Sequence, residues 1–318
     1  MLDAELKETQ FPLTWDNSMR TTGRQCYRKL YWFLRGYDFI GKPIYFTWGS
    51  AWHEILRYWY SEEHSWEVDD EDYWTHAKLA LAKGQEFYDN EIADQDISGD
   101  NSRENLESIW TNYLQEHPNE RWSQIEGGGE AGWEYPIINS DYSMGGSLDG
   151  IIKWPSYGFL VREDKTTGSY LTDGYVGQWS FSGQVSGYDW YLKQILGPDD
   201  VFGVLVNMIT KKKPGPRSSW STPRTARVLE KRSKLESQNF IDDFLYDIED
   251  FKQAWLAWRW PRTPDVTNCS GGVGKAPCLF RPACLVDGDY RQLDPSQFQG
   301  IGVRSESWEP WRRKGDQL

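Results

Sequence analysis

The sequence predicts an α/β fold in which a mixed central β-sheet is flanked by helices. Three observations predict it. A near-continuous apolar run, "VFGVLVNMIT" from Val201, reads as a strand buried on both faces. A charged hairpin, "GSLDGIIKWPSYGFLVREDKTTG" from Gly146 to Gly168, pairs two strand-like runs across a Pro- and Gly-flanked turn. Between and around these lie stretches with helical periodicity.

In chain order, "WGSAWHEILRYWY" from Trp48 carries apolar residues at Trp52, Ile55, Leu56 and Trp59, the stripe of an amphipathic helix. From about Asp69 to Glu116 the chain reads as polar helix, with a loop around "DQDISGDNS". "IEGGGEAG" is a glycine-rich break. "WEYPIIN" reads as a strand and "YSMGGSLDGIIKW" as one further strand. After the "PSYG" turn, "FLVREDKTT" is the return strand, and "GQWSFSGQVSGYDWYLKQIL" reads as a helix. The strand from Val201 follows, then a basic loop, then a helix from about Lys234 to Trp260. "WPRTPDVTNC" ends that helix, because a residue before proline disfavours helical geometry. The tail is loop-rich.

The chain has 318 residues, a net charge of -13 and 19 Trp. That length fits one elaborated domain spanning 1-318 rather than two clean ones. The acidic balance argues against a general nucleic-acid coat, yet it is uneven. The stretch Lys211 to Lys234 holds nine Lys or Arg against one Glu, and "EEHSWEVDDEDYW" from Glu62 is its acidic opposite. The basic stretch reads equally as a phosphate-neutralising loop or as a solvated one. Most tryptophans are expected in the core and some on a surface that grips a flat group. No run of about 18 apolar residues exists, so no membrane span is expected. The start, "MLDAELKETQ", lacks a charged-then-apolar signal pattern, so a cytoplasmic protein is expected. Four cysteines in such a chain should be reduced, which brings metal binding or catalysis forward.

Strand alternation explains the charged hairpin. Phe159, Val161, Glu163 and Lys165 point one way, and Leu160, Arg162 and Asp164 the other. Asp149 lies on the partner strand and can sit near Glu163. Two close carboxylates repel unless a cation lies between them, and a hard divalent ion, Mg²⁺ or Mn²⁺, suits oxygen donors. Lys165 can then orient a water or neutralise transition-state charge. Asp164 faces away and offers the metal only its backbone carbonyl. On these residues alone, a surface hairpin laced with ion pairs remains the alternative.

"GGSLDG" and "VREDKTTG" together resemble the PD-(D/E)xK nuclease superfamily, in its RecB-like branch. Asp149 takes the place of the first acidic residue, Glu163 the second and Lys165 the lysine. "GSAWHEIL" supplies the branch's GxxxHxxL pattern as Gly49, His53 and Leu56, and "GQVSGY" its QxxxY pattern as Gln184 and Tyr188. The resemblance implies a restriction-endonuclease-like core over 133-210 and His53 as a further metal ligand. It implies that Gln184 and Tyr188 position the active site or the strand. Glu134 stands where such enzymes often keep another acidic residue.

Cys26, Cys269, Cys278 and Cys284, one early and three late, resemble the iron–sulfur members of that branch, which include AddB, the CRISPR adaptation nucleases and phage-encoded relatives. "RQCYRKLYWFLRG" resembles their entry motif. The resemblance implies a structural 4Fe–4S cluster tying 18-35 to 261-286, with 62-125 as a helical insertion. Thiolates suit iron–sulfur clusters or zinc, and the wide spacing disfavours zinc. The gap from Cys269 to Cys278 is longer than in several relatives.

The implied function is metal-dependent DNA hydrolysis, acting as an exonuclease on single strands or ends and leaving 5′-phosphates. DNA repair or recombination is the setting, with a helicase or recombinase as possible partner. The rivals are an end-binding scaffold on a nuclease fold with little turnover and a zinc-stabilised structural protein.

Overall fold

A computed structural model describes all residues except 1–10, 42, 62–70, 93–96, 119, 121–122, 125–129, 156, 213–223, 272–276, 305–307 and 313–318. The chain is mixed α/β. It divides into two compact units, one of residues 1–42, 134–146 and 238–312, the other of 43–133, 147–237 and 313–318.

The first unit opens with β1 (Thr14–Trp15) and α1 (Asn17–Gln25). Asp16 starts that helix by accepting from the Met19 amide at 2.7 Å. Cys26, extended at φ -168, separates α1 from α2 (Tyr27–Leu34). β2 (Tyr37–Phe39) follows.

The second unit begins with α3 (Ile44–Trp59), α4 (Glu71–Ile92) and α5 (Arg103–Glu116), the last capped by Ser102. Their tryptophan-rich faces meet: Trp48, Trp52, Ile55, Trp59, Tyr73, Ile109 and Trp110 form one core with Ile152, Leu160, Leu205 and Ile209 of the sheet. The helices read as an insertion therefore supply a wall of this core. β3 (Ser123–Gln124) comes next, and β4 (Ala131–Pro136) and β5 (Ser143–Leu148) each divide between the units, residues 134–136 and 143–146 belonging to the first.

The run expected as a single strand breaks at Asp149 into β5 and β6 (Gly150–Trp154), and the two pieces join different sheets. β7 (Gly158–Thr167) is the return strand of the hairpin, with Gly150 opposite Arg162 and Ile152 opposite Leu160. The expected helix from Gly177 starts later. α6 (Asp173–Gly177) and a 3₁₀ turn at Gln178–Phe181 precede α7 (Gly183–Leu196), which Ser182 caps. β8 (Val201–Thr210) runs parallel to β7. The basic stretch is only partly a loop: 213–223 lie outside the described residues, but Thr225–Glu230 form β9, antiparallel to β8. Thr225 and Val228 are β-branched, and pairing with the buried β8 outweighs the local charge. Gly203, at φ +147, lies where a Cβ would stand 2.2 Å from the Glu230 carbonyl oxygen.

The five-stranded sheet of this unit thus has the order β3-β6-β7-β8-β9. A parallel pair needs a crossover, which α6 and α7 provide.

The chain returns to the first unit with α8 (Lys234–Leu256), α9 (Val266–Ser270), α10 (Arg281–Cys284) and β10 (Ile301–Val303). β10 pairs antiparallel with β2. Trp15 stacks on Phe251 at 5.6 Å, and Trp32 meets Phe280 at 5.1 Å. Among the described residues no helix is long and apolar enough to cross a membrane.

Candidate active site and cysteine cavity

The break at Asp149 sets the site. β5 ends and β6 begins there, so the Asp149 carboxylate leaves both ladders and meets two partners. One oxygen lies 3.2 Å from His53 Nδ1 on α3, and the other accepts the Asp164 amide of β7 at 2.8 Å. α3 reaches this edge because Gly49, one turn before His53, has no side chain: a Cβ would stand 3.1 Å from Thr166 Oγ1.

β7 carries opposed chemistry on its two faces. Glu163 and Lys165 form an ion pair on one face. Lys165 Nζ also lies 5.5 Å from the centre of the Trp179 ring. On the other face Arg162 and Asp164, each 1% exposed, pair at 2.8 Å. Arg162 donates a further bond to the Asp149 carbonyl at 3.0 Å, and its guanidinium lies 4.3 Å from the centre of the Tyr60 ring. Asn207 donates to Asp164 at 2.8 Å and to Tyr113 at 3.0 Å, and Arg227 donates to Asn207 Oδ1 at 3.0 Å. Tyr113 meets Tyr60 at 2.7 Å.

Burial pushes the Glu163 carboxyl up to about 8, against the pull of Lys165, and the Asp149 charge pushes the same way. Burial also works on Asp149, but His53 beside it holds its carboxyl below the usual carboxylate range. Burial would lower His53, yet the Asp149 charge outweighs it and raises the imidazole to about 9. Lys165 is raised, with Glu163 overcoming the cost of burial. His53 and Asp149 thus stand as an ion pair, while Lys165 lies against a Glu163 carboxyl whose hold on a proton is raised.

Gln184 and Tyr188 act as a relay from α7. Gln184 Nε2 donates to Tyr188 Oη at 2.7 Å, and Tyr188 Oη donates to the Ser147 carbonyl at 2.7 Å. They hold the chain two residues before Asp149. Glu134 is placed elsewhere: it is exposed on β4 and accepts from the Thr14 hydroxyl. The Asp164 side chain is committed to Arg162 and Asn207, so it is no carboxylate ligand. Sequence reasoning missed Arg162 and Asn207 as supports. Their signal was a fully charged or polar side chain on the apolar face of a strand.

Among the described residues no three His, Cys, Asp or Glu side chains are drawn together around a single ion position. The donor set nonetheless fits a hard cation. Glu163 Oε2 is buried with no hydrogen-bond partner among the described residues.

In the other unit Cys26, Cys269, Cys278 and Cys284 line one cavity of about 130 Å³, with Lys29 and Arg262 on its wall. None forms a disulfide. The Thr263 amide donates to Cys26 Sγ at 3.4 Å, and the Cys278 amide to the Cys269 carbonyl at 3.0 Å. Burial pushes the Cys284 thiol up to about 11, opposed by Arg28, while Cys26 and Cys278 add to the rise. Four soft donors around one cavity fit an iron–sulfur cluster.

No protein-family model matches the chain, and no curated protein matches it. Among solved structures, one titled "Crystal structure of SSO0001" aligns over 64% of this chain and 84% of its own at 15% identity, with a TM-score of 0.26. A likeness at that level carries no argument about fold or function.

Proposed function

We propose that this chain is a cytoplasmic, metal-dependent DNA nuclease of the PD-(D/E)xK type, built on a restriction-endonuclease-like core and acting as an exonuclease on single strands or ends. The carrying observation is that two pairs, His53 with Asp149 and Lys165 with Glu163, flank one strand junction, with Glu163 Oε2 buried and without a hydrogen-bond partner among the described residues. His53, Asp149 and Glu163 would hold Mg²⁺ or Mn²⁺, which would supply Lewis acidity at the phosphoryl group. Lys165, anchored by Glu163 and Trp179, presents an ammonium that can offset charge developing on the phosphate oxygens. Arg162 fixes the Asp149 carbonyl and the Asp164 amide fixes its carboxylate, so the aspartate is aimed before substrate arrives. Tyr188 steadies the same junction from α7.

In the same reading the four cysteines would hold a 4Fe–4S cluster, which would tie α1, α2 and the late helices α9 and α10 together within their unit. The test is digestion of end-labelled and circular DNA with Mg²⁺ or Mn²⁺, comparing wild type with Lys165→Ala and Asp149→Ala. Cleavage that survives both substitutions unchanged refutes the assignment.

A further inference from the structure

Phe181 is 92% exposed, although phenylalanine is among the residues most often buried. Its exposure is not slack in the chain. Ser180 Oγ donates to Glu230 at 2.8 Å, and Arg232 donates to the Ser180 carbonyl at 3.0 Å. The Ser182 amide returns to the Trp179 carbonyl at 3.1 Å, and Ser182 caps α7. The backbone on both sides of Phe181 is held while its ring stands in solvent.

The position adjoins the proposed site. Trp179, two residues before, lies under the Lys165 ammonium. Gln184, three residues after, belongs to the relay that steadies the Asp149 junction. Two residues span at most about 7 Å, so the Phe181 backbone lies within about 7 Å of that of Trp179, whose ring centre is 5.5 Å from the Lys165 ammonium.

On a chain of net charge -13, long-range attraction to phosphate is weak, and affinity has to come from short-range contacts. A flat, rigidly presented ring supplies one, because every base has a π-face. A base inside a duplex is already stacked, whereas a single strand offers its bases freely. We propose that Phe181 is the stacking position for the base next to the scissile phosphate, and that it sets a preference for single-stranded DNA. The proposal rests on the nuclease reading above.

The test measures binding of a fluorescein-labelled oligothymidylate by anisotropy in EDTA, for wild type, Phe181→Ala and Phe181→Trp. Phe181→Ala should weaken binding about ten-fold, and Phe181→Trp should restore it. On a strand of the same length with abasic sites, wild type and Phe181→Ala should bind equally. With Mg²⁺, Phe181→Ala should raise KM by a similar factor and leave kcat unchanged. Equal binding by wild type and Phe181→Ala, or an equal loss on the abasic strand, overturns the proposal. So does a loss seen on oligouridylate but not on the DNA strand, or a change confined to self-association in sedimentation. If wild type cleaves and Phe181→Ala is indistinguishable from it, the stacking position falls alone. If the binding loss appears while no divalent ion supports cleavage, the nuclease reading falls together with the placement beside a scissile phosphate, and only single-strand stacking on Phe181 stands.

Discussion

Replacing Arg162 by Met tests whether the charged pair behind β7 is the anchor of the junction. The methionine fills much of the space but strands the Asp164 carboxylate, which is 1% exposed and keeps, among the described residues, only Asn207 as a hydrogen-bonding side-chain partner. The lost charge-assisted bond to Asp164, at 2.8 Å, is worth about 2 kcal/mol. The bond to the Asp149 carbonyl contributes about 1 kcal/mol, and the contact with the Tyr60 ring about 1 more. Together these come to about 4 kcal/mol, inside the range of about 3–5 seen when one partner of a buried pair is removed. Scanning calorimetry should show the transition of this unit lowered by about 10 °C, at roughly 2–4 °C per kcal/mol. Adding Asp164→Leu removes the stranded charge, and the double variant should recover at least half of the loss. A cost below about 1 kcal/mol for Arg162→Met, or a double variant no more stable than the single one, would refute the reasoning.

Four further outcomes are expected. Lys165→Ala and Asp149→Ala should each reduce cleavage of labelled single-stranded DNA by about 10²–10⁴-fold with unchanged circular dichroism, a fall typical of losing a positioned acid–base or electrostatic group. Tyr188→Phe gives up the bond to the Ser147 carbonyl; it should cost about 1 kcal/mol in denaturant titration and lower kcat more than it raises KM. Burial, with the Arg227 charge adding to it, lowers His117 from 6.5 to about 4, where it faces Thr225, Tyr113 and Arg227, with Glu116 bonded to Thr225. The unfolded chain then binds more protons between those values. Stability is complete above about 6.5 and lost as pH falls toward 4, and His117→Asn should flatten that slope in melts at stepped pH. Purified without air, wild type should be brown with broad visible absorbance and bound iron. Cys26→Ser should lose both, whereas a colourless preparation with stoichiometric zinc would reverse the cluster assignment.

Alternation carried most of what could be read before folding. It separated Glu163 and Lys165 from Arg162 and Asp164, and the coordinates keep that division. It did not locate the interruption at Asp149, because "SLDGII" keeps a strand-like pattern through the break and only the pairing partners of β5 and β6 differ. β9 was hidden for a related reason. "TARVLE" sits inside a basic stretch, and its strand character comes from the buried β8 beside it rather than from its own composition. The wall built by α4 and α5 was legible as helix but not as core, since its aromatic residues are spread through a polar sequence and meet only in three dimensions. The resemblance grouped Cys26 with the three late cysteines, and the four line one cavity, but it did not indicate that Cys26 would separate α1 from α2.

The two-faced character of β7 has a consequence for how this gene can vary. Inserting one codon between Val161 and Arg162 would turn the downstream side chains over, sending the ammonium and its glutamate toward Tyr60 and Tyr113 and the arginine pair toward Trp179. Folding and turnover would be lost in a single event. Length changes in this strand should therefore be absent from any working lineage, while the loops at either end remain free to drift.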